Sequence, residues 1–241
     1  MVILINVKTY KFCALFLAVF PLFSCATRID GSLAANGSSQ MSVSTSLEPR
    51  ITSLIRTLSA AGGQQDGLIL DGPAIAKSLS ASSFGDVSAS FKNSSPSAIK
   101  GDMKISDINR LFAAGNAERF VEFEQGKNGG KCKFSIDIDN GSVFLNLLSP
   151  EFADYLNVLM APLATGEEMT KTEYLALVSS IFSKAISDEI AASRIRISIG
   201  FPGQVTNAAG GTYKGKTAEF DIPLLDILVL ETPLTYEVSW K

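Results

Sequence analysis

The chain has 241 residues, 46% of them hydrophobic and 19% charged, which supplies enough apolar material for a sizeable core and rules out global disorder. Its net charge of −3, with no basic block to neutralise phosphates, sets nucleic acid aside as a partner. Histidine is absent, so His-based acid–base and nucleophile pairs are excluded, along with the commonest metal ligand.

Lys8 and Lys11 open a positively charged leader with no acidic residue before Cys25, and Phe12 to Phe23 is an almost unbroken apolar run. A signal-peptide core is about 7–15 residues long, whereas a transmembrane helix needs about 20; the run fits the first. Leu22-Phe23-Ser24-Cys25 then resembles a bacterial lipobox, with a leucine ahead of a small residue and a cysteine. Phe23 departs from the usual small residue and is closer to the looser variants of spirochaetes. The leader therefore predicts a signal peptide over 1–24 and lipidation of Cys25 by a diacylglyceryl group. The domain over 25–241 is then exported and held at a membrane of the cell envelope, with the leaflet and facing side left open. Only Cys132 keeps a free thiol, so no intramolecular disulfide and no paired-cysteine zinc or redox site is available. Sharing an alternating face with Phe134, Ile136 and Ile138, it reads as a small buried hydrophobe.

Ala26 to Thr45 alternates around Asn36-Gly37, a hairpin signal, and predicts strands near Arg28–Ala34 and Gln40–Thr45. The first has the alternative of a flexible tether above the membrane. Ser46, as N-cap, and Pro49 open a helix through Ile51, Leu54, Ile55 and Leu58 that Gly62-Gly63 stop. Asp71 and Pro73 open a shorter helix with Ile75 and Leu79 inward. Val87, Ala89 and Phe91 alternate, as do Met103 and Ile105, around the turn cluster Asn93-Ser94-Ser95-Pro96. Ser106 caps a helix carrying Ile108, Leu111 and Phe112. Phe120–Glu124 and Lys131–Ile138 read as a strand pair across a polar, Gly-rich loop.

Residues 141–193 form a helical block, followed by a C-terminal β segment over 194–241. Ser149-Pro150-Glu151 opens a helix with Phe152, Tyr155, Leu156, Leu159 and Met160. Thr170-Lys171-Thr172-Glu173 matches a capping box, and behind it Tyr174, Leu177, Val178, Ile181, Phe182, Ala185, Ile186 and Ile190 make one long apolar stripe. Two readings stand: a helix face turned to the core, or the wall of a cavity for an acyl chain. In the second, Phe152, Tyr155, Leu156, Tyr174, Val178, Ile181 and Phe182 line the ligand site. Ile195, Ile197 and Ile199 alternate with polar residues as a half-buried strand, and Val205 and Tyr213–Ile222 flank a Gly-rich turn over 207–212. Pro223–Leu230 is a short buried helix or a hydrophobic lip that touches lipid through Leu224, Leu225 and Leu228. Leu234, Tyr236, Val238 and Trp240 finish as an alternating strand. The whole pattern is α+β: antiparallel β-sheet pairs with helices packed on one face, in a single compact domain.

Ile195–Gly211, with its alternating apolar residues followed by Phe201-Pro202-Gly203-Gln204-Val205-Thr206-Asn207 and a Gly, resembles the LppM-type bacterial lipoprotein domain. Gly31–Ser46 is similar to that family's opening strand, Asn-Gly-Ser turn and strand, and Phe91–Phe112 to its strand, Gly, strand and helix unit. The helical block at 141–193 is more extensive than the family's. The resemblance implies a membrane-tethered α+β domain with a non-catalytic role in handling envelope lipids. It carries over no catalytic residue, since Pro202 and Gly203 shape a turn.

Two spellings of catalytic or metal chemistry fail on inspection. Asp137-Ile138-Asp139-Asn140-Gly141 begins like an EF-hand loop but lacks the fifth-position oxygen ligand and the closing Glu, where Leu148 stands. Ser97-Ala98-Ile99-Lys100 matches Ser-x-x-Lys without the partner motifs that chemistry requires. The sequence thus predicts no enzyme, no metal and no cofactor. It predicts a lipid-anchored envelope protein that binds a lipid, another hydrophobic ligand or the membrane surface. The alternative is a structural or interaction protein that meets a protein partner through the polar loops 125–130 and 206–216.

Overall fold

A computed structural model describes residues 26–61, 68–82, 86–113, 120–145, 156–157 and 159–241. The first half runs β1 (Ala26–Leu33), β2 (Ser39–Ser46), α1 (Pro49–Ala61), α2 (Gly72–Ser82), β3 (Val87–Ser95), β4 (Ala98–Ile105) and α3 (Ile108–Ala113). Then come β5 (Val121–Gly126), β6 (Gly129–Ile136), α4 (Ile138–Leu145), α5 (Pro162–Thr165), α6 (Lys171–Ile181) and α7 (Lys184–Ala192). The chain continues through β7 (Arg194–Gly200), β8 (Val205–Ala209), β9 (Thr212–Lys214), β10 (Thr217–Pro223), α8 (Leu224–Val229) and β11 (Leu234–Trp240).

Among the described residues the strands make two sheets, a larger one of seven strands in the order β3-β4-β2-β1-β7-β10-β9 and a smaller one of four in the order β5-β6-β11-β8. Strict alternation decides which face of each strand turns inward. In β2, Ser39, Met41, Val43 and Thr45 are buried while Gln40, Ser42, Ser44 and Ser46 are exposed. In β1, Thr27, Ile29 and Leu33 are buried against Arg28 and Ser32 outside. The buried hydroxyls of Thr27 and Thr45 satisfy each other at 2.7 Å. The apolar face of the larger sheet is covered by the helices and by the smaller sheet, and its outer face carries mainly Ser, Lys, Arg, Asp and Glu.

The α+β class therefore holds, with antiparallel pairs and helices on one face. One pair adds to the expectation: β1 and β7 run parallel, from Ala26 beside Arg194 to Ser32 beside Gly200. A parallel pair needs a long crossover, and here everything from β2 to α7 serves as one. The hairpin of β1 and β2 turns at Gly37, whose φ of 80° is open to glycine, so the tether reading of β1 is not what the chain does.

Several local expectations are corrected. Ser46 stays in the β2 ladder opposite Ala98, and α1 is capped from a distance: Glu189 Oε2 of α7 accepts from Ile51 N at 3.2 Å. Asp107, not Ser106, caps α3, its Oδ1 accepting from Asn109 N and Arg110 N at 2.9 and 3.2 Å. Ser106 Oγ instead donates to Asp86 Oδ1 at 2.7 Å. The residues around Asp137 start a helix: Asp137 and Asn140 exchange backbone-to-side-chain bonds of 2.9 Å each at the head of α4. The capping box at Thr170 and Glu173 is present. The long stripe behind it breaks, however, at the extended Ser183, whose side chain caps α7 through Ile186 N. The single strand expected over Tyr213–Ile222 is cut by a turn at Gly215 (φ 60°) into β9 and β10.

An apolar cleft between the sheets as candidate functional site

The inner faces of the two sheets do not meet everywhere. Between them lies a cavity of about 100 Å³. One wall comes from the larger sheet and the residues beside it: Leu33, Ser39, Met41, Ile197, Ile199, Phe201, Phe220 and Ile222. The other is Cys132, Phe134 and Ile136 of β6 with Leu234, Tyr236 and Val238 of β11, and Ile108 and Ile227 complete the lining.

The cavity follows from the order of side-chain sizes along β11. Tyr236 and Trp240 stand four residues apart, about 13 Å of strand, and both reach across to the other layer. Phe220 meets Tyr236 edge-on at 5.3 Å, and Phe201 meets Trp240 at 5.1 Å. Phe134 stacks on Tyr236 at 6.4 Å, Phe123 on Trp240 at 5.9 Å, and Trp240 Nε1 donates to Gln125 Oε1 at 3.0 Å. These large rings act as spacers. Between them the facing pair is Cys132 and Val238, directly opposite in the ladder, and neither is big enough to fill the space that the rings hold open.

The lining is chemically quiet. Ser39 Oγ is committed to Ser32 O at 2.9 Å. Burial pushes the Cys132 thiol up to about 12, so it stays protonated. The Tyr236 phenol is raised by burial and then by the nearby Asp226 carboxylate, and stays neutral. Asp226 is itself paired to Lys171 Nζ at 3.0 Å. The walls can hold an apolar group, and on them Phe134, Ile197, Leu234 and Tyr236 are only half-buried.

The helical residues expected to line a ligand site are placed elsewhere. Leu156, Tyr174 and Val178 are fully buried in the common core, Phe182 is half-buried and Ile181 is 50% exposed. Phe152 and Tyr155 lie outside the described residues. None of the described residues among them lines the cleft. Leu224, Leu225 and Leu228 are buried in α8, so Pro223–Leu230 is the short buried helix and presents no exposed lip. The polar loops fare similarly: 125–130 is mostly the tight end of the β5–β6 hairpin, and 206–216 is largely taken up by β8 and β9. The cleft is built from strand positions whose alternation was visible, but nothing local announced which two strands would face each other.

Among the described residues no helix is long and apolar enough to cross a membrane, and no group of potential metal ligands is clustered. No family model matches the chain, and no curated relative matches it. Among solved structures the chain is similar to the NMR structure of the folded domain of LppM from Mycobacterium tuberculosis, at 10% identity and a TM-score of 0.39, over 91% of this chain and 90% of that one. At that distance the reading of the site stands on this chain's own geometry.

Proposed function

We propose that the protein is a lipid-anchored component of a bacterial cell envelope whose domain binds a hydrophobic ligand, such as an acyl chain, between its two sheets without transforming it. The observation that carries this reading is the cleft: it is apolar, partly open, and propped by aromatic spacers. The quiet chemistry of the walls supports binding over catalysis. The anchor is supported by the leader and its lipobox-like end.

Size limits what enters. An apolar cavity of about 150 Å³ binds benzene, so the 100 Å³ found here takes only the tip of a chain. A longer segment has to part the sheets, breaking the Phe220–Tyr236 and Phe201–Trp240 contacts. Segments 201–204 and 210–211, which lead from one sheet to the other, are where such a movement would bend the chain.

The test is native mass spectrometry on residues 26–241 purified without detergent, before and after adding palmitate. The expected result is an extra mass of lipid size that is lost on denaturation. A bare polypeptide mass that palmitate leaves unchanged overturns the reading and turns attention to a protein partner.

A further inference from the structure

The outer face of the larger sheet sorts its charges by row. Lys92 stands opposite Lys100, Lys100 opposite Ser44, Ser44 opposite Arg28, and Arg28 opposite Arg196, which faces Asp221. Five neighbouring strands thus carry four exposed cations in one line, about 19 Å long at ordinary strand spacing. One ladder step farther from Ala26 the row is acidic, with Asp102, Asp30 and Glu219 set among Ser90, Ser42 and Ser198.

Like charges directly opposite each other destabilise a sheet. Arg28 is compensated by Asp30, which takes its Nε and Nη2 at 2.6 and 2.7 Å, and Arg196 by Asp221 at 3.9 Å. Lys92 and Lys100 have no carboxylate within ion-pair distance among the described residues. The row lies two residues from Ala26, whose own neighbour Arg194 is held by bonds from Nη1 to Ala191 O and Ser193 O. The same edge carries Arg50, 3.8 Å from Glu189, and Glu48. It also shows Leu68, 50% exposed, beside Ile69 and Leu70, whose N–H groups donate to Pro96 O in the β3–β4 turn.

We propose that this edge docks on an anionic phospholipid surface, with the basic row against headgroup phosphates and the acidic row held away from them. The direction rests on the reading of Cys25 as the anchor. Arg28 lies two residues into β1 from Ala26, about 7 Å of strand, within the screening length of about 8 Å at physiological salt. The acidic row stands about 7 Å farther out. Laying the sheet flat would press Asp30, Asp102 and Glu219 onto the same phosphates, so the sheet stands on its edge.

The chain from Ala26 to Lys241 contains every described strand pairing and the whole described core, so it serves for the test. Its partition onto phosphatidylglycerol vesicles, phosphatidylcholine vesicles and soluble heparin is measured by co-sedimentation and titration at low and physiological salt. The expected result is binding to phosphatidylglycerol that weakens with salt, and little to phosphatidylcholine. At about 1 kcal/mol per surface lysine, Lys92→Gln with Lys100→Gln weakens it about 30-fold. Lys104→Gln with Lys214→Gln, an equal loss of charge in a row farther from Ala26, changes it less than about 3-fold. The Lys92/Lys100 variant also melts no lower than the parent, because a like-charge pair has gone. Equal losses in both variants, equal binding to the two lipids, or binding to heparin alone each overturn the proposal. None of these outcomes touches the cleft, whose occupancy is read separately by mass.

Discussion

Replacing Cys132 by isoleucine tests whether the cleft is space kept for a ligand. A cavity of 100 Å³ costs stability at roughly 24 cal/mol per Å³, or roughly 2.4 kcal/mol in all. Isoleucine adds the equivalent of about two carbons at the point where Cys132 faces Val238, worth about 1.6 kcal/mol if fully buried. Fixing its rotamer returns about 0.5–1 kcal/mol of that. The net expectation for Cys132→Ile is a gain of about 0.5–1 kcal/mol, or a rise in Tm of about 1–4 °C for a domain of this size. Urea titration and calorimetry measure the gain, and native mass spectrometry with palmitate measures uptake, which falls at least tenfold. Stability up with binding down is the signature of a site held open against the protein's own packing. Destabilisation by more than about 1 kcal/mol means that the space is not there and the core has been overfilled. A stable variant with undiminished uptake places the ligand elsewhere.

Four further outcomes follow from named contacts. Tyr174 is fully buried and its hydroxyl has no hydrogen-bond partner among the described residues, so Tyr174→Phe stabilises by about 1 kcal/mol, read by chemical denaturation; a loss of that size shows that the hydroxyl is bonded. The Arg110 guanidinium hydrogen-bonded to Asp86 holds its carboxyl below the usual range. Its contribution is therefore full above the unfolded value of about 3.9 and fades as pH falls through the folded value. The stability gap between the parent and Asp86→Asn accordingly narrows in acid, and a gap that stays constant to pH 2 refutes the linkage. Thr170→Ala removes the hydroxyl that accepts from Glu173 N at 3.2 Å and costs about 1 kcal/mol, while Thr170→Ser does not. A Cβ on Gly101 would press on Ser90 O and lie 2.8 Å from Phe91 Cα. Gly101→Ala therefore costs about 3 kcal/mol, seen as a drop in the urea midpoint with the slope unchanged.

Period-two alternation told most of the strands apart because each sheet has one wet face, and Met41, Val43 or Ile197 advertise that locally. What alternation does not carry is the partner. Nothing near Ala26 shows that β1 will lie beside β7, and nothing near Cys132 shows that Ile199 and Met41 will stand across a gap from it. The apolar stripe behind Thr170, where hydrophobic residues recur over several turns, reads from sequence either as a core face or as the wall of an acyl-chain site. In the fold it belongs to the core: Tyr174 and Val178 are buried, and the stripe breaks at Ser183 because an extended residue there caps a new helix. Pro223–Leu230 had two readings open, and burial of Leu224 and Leu228 selects the helix. Caps were the least legible feature. Glu189 reaches α1 from a distant helix, and Asp107 wins over its neighbour Ser106 because Ser106 is engaged with Asp86.

The central place of β1 has a consequence for how the molecule comes into being. During synthesis β1 precedes the other described strands and can pair with β2 early, but its other edge stays open until Arg194–Gly200 has been made. Until then the growing chain exposes an unpaired strand edge along its own middle, a template for any neighbouring chain in the same condition. Closure late in the chain makes assembly slow relative to local hairpins. A shortened chain ending before β7 would leave that edge permanently open, and aggregation of such fragments, rather than a smaller folded unit, is the outcome the topology dictates.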